Sequence, residues 1–367
     1  MAEDVGIALV TDLVGDRAGD WDRAGRLPLD LLRELGGKGW LCPEVAAEYG
    51  GVGLTSLENG RYTAAAGASC SSLRSVLTSQ GMAAWTVARL GGRRQRGDLL
   101  GRLTSGSVAG VAFSEPAAGS DLSAMTTRIR RDGDEVVIDG YKVWVTAAAY
   151  ADLLVVFGRY ESGAAAVVVP TGAPGVVVER VSDPLGCRAG GHANVRLDAV
   201  RLPADALLGG AGQPLSMAVT TALTYGRLSV AWGCVGILRA CLAATVAHTT
   251  SREQFGEPLV RHQLVARHLA ELHVAERTAT FACENASARW DAGSPEIVTA
   301  AVLAKHVAAT SAEHGAATAV QLLASAGAHD GHPVARAYRD AKLMTIIEGS
   351  TEICQLLLAD HAAAVWR

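Results

Sequence analysis

The chain has 367 residues, is 49% hydrophobic and carries a formal net charge of −4. That length holds two or three domains with a substantial core, and the composition excludes a disordered chain. The acidic balance argues against a nucleic-acid partner; the clusters Arg93-Arg94-x-Arg96 and Arg128-x-Arg130-Arg131 are short and read as solvated. Seven scattered cysteines include no C-x-x-C pair, which predicts buried thiols in a reduced, cytoplasmic protein. The histidines show no metal-ligand spacing, so no metal is expected; His262, His268 and His273 do not share a face at i, i+4. The N-terminus lacks a basic region, so no signal peptide is read. The most apolar stretch, 228–238, is too short to span a bilayer and predicts a core helix, not a membrane segment.

To about residue 107 the chain reads as helical with glycine breaks. Leu27-Pro28-Leu29-Asp30 opens a helix that Gly36-Gly37-Lys38-Gly39 ends. That tetrad lacks the rest of a phosphate loop and reads as a cap and turn. A short helical turn is expected over 43–51, and longer helices over 57–68 and 73–90. The pattern changes near Val108. Alternating β-branched residues predict strands over 108–113, 125–130, 135–138, 141–146, 153–157, 165–169, 176–180 and 193–197. Asp139-Gly140 predicts a two-residue hairpin between the third and fourth of these. After Pro214 the helical period returns over 215–249, 258–290 and 295–325, with prolines near the helix starts. Leu264, Val265, Leu269 and Leu272 form one apolar stripe. The expected architecture is α+β: a helical N-terminal domain (1–107), a β-barrel or sandwich domain (108–213) and a C-terminal four-helix bundle (214–367).

The segment Tyr338-Arg339-Asp340-Ala341-Lys342-Leu343-Met344-Thr345-Ile346-Ile347-Glu348-Gly349-Ser350-Thr351-Glu352-Ile353 carries the chemistry. One helix ends near Leu343, Gly349 allows a bend, and Ser350 or Thr351 caps a final helix. Glu348 therefore lies at a junction, where a carboxylate can face a cavity and take a proton from a ligand. The plain alternative is that Thr345-x-x-Glu348 is a capping box, although Gly349 weakens so young a helix.

The order of elements and the motifs within it resemble the acyl-CoA dehydrogenase family over nearly the whole chain. Phe113-Ser114-Glu115-Pro116-Ala117-Ala118-Gly119-Ser120-Asp121 is similar to the family's first flavin-and-substrate loop. Trp144-Val145-Thr146 is similar to its flavin-stacking strand, and Arg252-Glu253-Gln254-Phe255-Gly256 to its FAD-contacting turn. Gln263 and Gln321 match glutamines that touch FAD across a subunit interface, and Ile347-Glu348-Gly349-Ser350 matches the segment that holds the base. The resemblance implies FAD as cofactor, an acyl thioester as substrate, an electron acceptor of open identity and a homo-oligomer, dimer or tetramer. The implied FAD ligands are Phe113, Ser114, Ser120, Trp144, Thr146, Arg252, Phe255, Gln263, Gln321, Ser325, Ser350 and Glu352. Ser120, Thr224, Arg227 and Gly349 are the implied substrate contacts, with Glu348 as catalytic base.

The residue types agree. A flavin ring needs an apolar wall and a donor, and Trp144 and Thr146 on one strand face can supply both; the alternative is a core tryptophan. Ser114 and Ser120 lie in a loop whose hydroxyls and free N–H groups can hold ring oxygens or phosphates, or serve ordinary turns. Arg252 suits a diphosphate, or a solvated helix end. Two positions depart from the family. Ser325 stands where relatives carry a glycine at the diphosphate, and Thr224 stands where they carry an aspartate. The loss of that acid points away from ordinary fatty acyl-CoA substrates. The resemblance is strongest to the branch found beside polyketide synthases. That branch works on short units held by an acyl carrier protein and helps turn a glycerate-derived unit into hydroxymalonyl extender, the precursor of methoxymalonyl. An ordinary acyl-CoA dehydrogenase, a flavin oxidase or monooxygenase on the same fold, and a non-catalytic flavin-binding scaffold remain as alternatives.

Overall fold

The computed structural model describes residues 2–366. Its first part holds α1 (Ala2–Val14), α2 (Ala18–Ala24), α3 (Leu29–Gly37), α4 (Ser56–Ser69) and α5 (Ser71–Leu90). Two single-turn helices follow, α6 (Arg93–Gln95) and α7 (Gly101–Thr104). Thr55 starts α4 through a capping box with Glu58. The α5 helix is buried along almost its whole length, because the other two parts both pack on it. Gly36 does more than end α3: a Cβ there would lie 2.7 Å from the Gly106 Cα, so glycine permits the close approach.

The second part is one seven-stranded sheet: β1 (Ala109–Ala112), β2 (Arg128–Asp132), β3 (Glu135–Val145), β4 (Leu153–Tyr160), β5 (Gly163–Pro170), β6 (Val176–Arg180) and β7 (Ala193–Pro203). Pairing is antiparallel for β2–β3, β3–β7, β4–β5 and β6–β7, and parallel where β4 meets β1 and β2. Alternate residues of β4 serve two cores. Leu153, Val155 and Phe157 join α5 residues Met82, Ala83 and Val87. Leu154 and Val156 join the inner faces of β3, β5 and β7. The strand is therefore apolar on both faces, one meeting α5 and the other the neighbouring strands.

Two local expectations fail here. Asp139-Gly140 makes no hairpin; β3 runs through it with a bulge against β7. A Cβ at Gly140 would lie 2.3 Å from Thr127 Oγ1, so the glycine answers a close approach. The hairpin turns instead at Gly133, whose φ is +63°. Nor do Trp144 and Thr146 share a strand face. The strand ends at Val145, and Trp144 has φ +56°.

The third part holds α8 (Leu215–Ser251), a two-stranded hairpin β8 (Glu253–Gln254) and β9 (Glu257–Pro258), then α9 (Gln263–Asp291), α10 (Ile297–Leu323), α11 (Pro333–Met344) and α12 (Thr351–Val365). Pro258 belongs to the hairpin rather than to a helix start, and α9 begins at Gln263. Alanines 304, 308, 312 and 316 of α10 pack with Cys234, Ile237, Leu238 and Cys241 of α8 in one core. Small side chains on one face let the two helices run close. The α8 helix is 37 residues long, with an 18-residue window of mean hydropathy 1.8, so by length and composition it could cross a membrane. Its 228–238 stretch lies inside the protein core, so it packs as the core helix expected. All seven cysteines are free and buried. No group of residues among those described could hold a metal ion.

Candidate active site

The turn between α11 and α12 is built by its backbone. Thr345 closes α11, and the Thr351 N–H donates to the Thr345 carbonyl at 2.9 Å. Ser350 caps α12 by accepting from the Ile353 N–H at 3.4 Å. Between them Glu348 and Gly349 are both left-handed, at φ +54° and +91°. Glycine takes that conformation freely, whereas for glutamate it costs about 1 kcal/mol. The strain turns the Glu348 side chain inward. Its Oε2 would lie 2.6 Å from a Cβ at Gly226 on α8, so the missing side chain of Gly226 makes its room. The capping-box alternative is ruled out, because Ser350 caps the helix and Glu348 Oε2 is shut from solvent with no hydrogen-bond partner.

Burial raises the Glu348 pKa, opposed in turn by Arg227, Lys305 and Arg74. These cations do not clamp the carboxylate. Arg227 Nε donates to the Glu348 carbonyl at 3.0 Å, and Lys305 Nζ donates to the Gly349 carbonyl at 2.6 Å. They pin the strained backbone and leave the side chain open to accept a proton. Arg227 and Gly349, both expected at the substrate, thus lie directly against Glu348.

The loop after β1 meets the end of β3 a short way off. Lys142 Nζ donates to the Phe113 carbonyl at 3.0 Å and pairs with Glu115 at 2.8 Å, both side chains buried. Burial alone would raise the Glu115 pKa, but hydrogen bonds from Lys142, Thr126 and Thr127 pull it down to about 2. The Val143 N–H donates to the Ser114 carbonyl at 2.9 Å. The stitching brings Phe113, Ser114, Trp144 and Thr146 together. The Trp144 ring is 52% exposed, unlike a core tryptophan. It lies 5.9 Å from the His192 ring. Thr146 Oγ1 is 3.3 Å from His192 Nδ1, and His192 Nε2 is buried with no partner. An open aromatic face beside a hydroxyl backed by a buried imidazole fits a planar ring with hydrogen-bonding edges. Ser120 lies farther along the loop and is exposed.

A third group lies elsewhere. Arg252, Phe255 and Gln263 sit at the α8–α9 corner, Gln321 near the end of α10 and Ser325 just beyond it. All five are exposed, and Phe255 is 98% exposed at φ +55°. The up-down run of α8, α9 and α10 sends these residues to one end of the bundle. Sixteen residues of α10 separate Gln321 from Lys305, about 24 Å along the axis. Within one chain this group therefore does not join the Glu348 pocket. Glu352 is exposed on the first turn of α12, and its pKa is lowered by a hydrogen bond with Ser350. Thr224 points away from Glu348: its Oγ1 donates to the Thr220 carbonyl at 2.7 Å. It lines an open cleft of about 530 Å³ with Thr220, Met217, Trp85, Arg89 and Trp290.

Sequence reasoning missed Gly226, Arg74, Lys305, His192 and the Glu115–Lys142 pair. The available signal was charge in an apolar context. Lys305 interrupts an alanine-rich helix, and Arg74 stands in a helix of small residues whose only other charge is Arg89.

Residues 7–107, 110–200 and 216–363 match the N-terminal, middle and C-terminal domain models of acyl-CoA dehydrogenase. The mitochondrial short-chain specific acyl-CoA dehydrogenase of Homo sapiens is 32% identical over 355 residues, covering 94% of this chain and 85% of that protein. A solved structure described as FkbI, for biosynthesis of the methoxymalonyl extender unit of the FK520 polyketide, is 63% identical with a TM-score of 0.94. That match covers 98% of this chain and 99% of the other. A glutaryl-CoA dehydrogenase from Mycobacterium smegmatis in complex with FADH2 is 28% identical, with a TM-score of 0.92 over 100% of this chain and 95% of that one. Matched through all three domains and along nearly its full length, the chain belongs to the acyl-CoA dehydrogenase family of FAD-dependent oxidoreductases.

Proposed function

We propose that this enzyme oxidises a short acyl thioester held by an acyl carrier protein, on the route to a hydroxymalonyl or methoxymalonyl extender unit, with Glu348 as the base. The observation that carries the reading is the Glu348 side chain: turned inward by a strained backbone, its Oε2 without a partner, its pKa raised by burial. A carboxylate so placed takes the weakly acidic α-proton of a thioester. The developing enolate oxygen needs a donor, which the Glu348 N–H supplies. Bound FAD supplies the two-electron acceptor. Trp144 gives its ring a wall, and Thr146, with Ser114 and Ser120, gives its edge hydrogen bonds. Arg252, Phe255, Gln263, Gln321 and Ser325, remote from Glu348 in their own chain, serve the cofactor of a second copy in a homo-oligomer. The carrier-protein branch is favoured by the 63% identity to the extender-unit protein and by Thr224 in place of an acid. The free, buried thiols fit a reducing, cytoplasmic setting.

Glu348→Gln tests the base. Glutamine keeps size and reach, so the variant retains fold and FAD but loses about 10²–10⁴-fold in rate. Rapid mixing with substrate, following flavin bleaching, reads the loss. Near-normal bleaching in this variant would place the base elsewhere. The carrier claim is tested separately by comparing specificity constants for one acyl group on carrier protein and on CoA. Equal or better values on CoA would remove it and leave the reaction class standing.

A further inference from the structure

Charge is spread unevenly over this acidic chain. The net charge is −4, yet residues 89–98 hold Arg89, Arg93, Arg94 and Arg96 against one acid, Asp98. Arg89, Arg93 and Arg94 are exposed, and Arg96 is half-buried with its Nε unpartnered. Among the described residues none of the four has a carboxylate at ion-pair distance. Like charges gathered on one short segment repel, and a partner of opposite charge relieves that repulsion. From sequence alone the cluster reads as solvated; its place in the fold gives it more to do.

The arginines stand at the mouth of the open cleft beside α8. Arg89 lines that cleft, its guanidinium 5.5 Å from the centroid of the Trp85 ring. Arg93 and Arg94 follow directly on α6. Gln95 Nε2 donates to the Asp205 and Leu207 carbonyls at 2.7 and 2.9 Å, and the Gly209 N–H donates to the Leu90 carbonyl at 2.8 Å. These bonds hold the arginines beside the segment that leads into α8. Asp205 is exposed there, so the face sets four arginines against two acids, Asp98 and Asp205. From the mouth the cleft follows α8 inward. Ser216, Thr220, Thr221 and Thr224 line it with hydroxyls, which suit the amide groups of a pantetheine arm. Ten residues of helix, about 15 Å, lie between Met217 in the cleft and Arg227, which holds the Glu348 carbonyl. An extended arm of about four to five residue-lengths covers that span. The phosphodiester at the root of the arm, and the protein beyond it, then come to rest at the arginines.

We propose that Arg89, Arg93, Arg94 and Arg96 form the docking face for the carrier protein, which meets them through an acidic surface beside the root of its arm. The proposal rests on the carrier-protein reading given above. Complementary charge of this kind acts on encounter and is screened by salt. The test presents one short acyl group to the FAD-loaded enzyme on carrier protein and on pantetheine. Arg93→Glu/Arg94→Glu changes two exposed side chains that make no hydrogen bond or ion pair, so FAD content and thermal stability are retained. At low salt its specificity constant on carrier protein falls about tenfold or more, while that on the pantetheine thioester keeps the wild-type value. The deficit shrinks as salt rises toward about 0.5 M, and Arg93→Gln/Arg94→Gln shows a smaller one. A carrier-protein constant unchanged by the double reversal overturns the proposal and leaves the carrier-protein reading standing. An equal fall on both substrates overturns it too, because the arginines then act through the fold or the cleft. So does a change of mass in light scattering with the carrier-protein constant unaltered, which makes the face a contact between copies of this chain. A wild type that handles the pantetheine thioester as well as the carrier-protein thioester defeats the underlying reading itself. Should the double reversal not fold, the glutamine pair and the wild-type salt dependence decide, and a carrier-protein constant indifferent to salt overturns the proposal.

Discussion

Gly226→Ala probes how closely the fold positions Glu348. The new Cβ would lie 2.6 Å from Glu348 Oε2, 2.8 Å from Glu348 Cδ and 2.8 Å from Met82 Sδ. The carboxylate must retreat by about 0.8 Å to reach ordinary van der Waals contact near 3.4 Å. All three atoms belong to the outer parts of side chains, so the stability cost stays at the low end of overpacking, about 1 kcal/mol. The helix gains from losing a glycine, which offsets part of that. Catalysis is less forgiving, since a misplacement of about 1 Å costs up to about 10²-fold in rate. The expected variant is folded, yellow and FAD-loaded, its melting temperature nearly unchanged, with flavin reduction slowed about 10- to 100-fold. Stopped-flow absorbance reads the reduction, and a thermal scan reads the fold. A wild-type reduction rate at full FAD occupancy would refute the idea that Gly226 makes room for the base.

Burial holds the Glu348 proton more tightly in the folded enzyme than in the unfolded chain, above the usual 4.5. Flavin reduction therefore rises with pH through a midpoint above 4.5, and Glu348→Gln loses that rise; a wild-type profile without such a limb contradicts the assignment. The sign for stability is opposite. This group's contribution is complete below its unfolded pKa and is lost as pH rises through the raised folded value. Phe255→Ser removes an aromatic ring that a single chain leaves 98% exposed. If a second copy covers that ring and its FAD, the variant loses burial of about 1.5–3 kcal/mol, releases FAD at lower dilution and shifts toward smaller species in light scattering. Unchanged FAD retention and unchanged mass would leave Phe255 without that role.

The large divisions of the fold were legible because each was periodic over many residues. The helical repeat of α8 to α10 and the β-branched run of β4 and β5 are long-range patterns that burial enforces. What failed was local. Asp132-Gly133 and Asp139-Gly140 give the same turn signal, yet only the first turns; the second is a bulge set by Thr127 across the sheet. The Trp144 conformation was equally hidden, because its left-handed backbone is fixed by pairing with Asn194, whose Oδ1 accepts from the Trp144 N–H. At the candidate site, Glu348 was readable as a candidate from the break between two helices around it. Its neighbours were not, since Arg74, Gly226 and Lys305 come from three other helices and meet only through tertiary packing.

The left-handed backbone at Glu348 bears on how this sequence can diverge. Glu348 Oε2 makes no hydrogen bond that would hold that conformation, which is held instead through the Glu348 and Gly349 carbonyls by Arg227 and Lys305. In a sister gene released from catalysis, exchange for glycine would relieve about 1 kcal/mol, and asparagine would come close behind. Alanine would not, because its Cβ keeps the penalty. On the reading of Glu348 as the base, a glutamate kept there against its own backbone preference is held by the reaction and not by the fold.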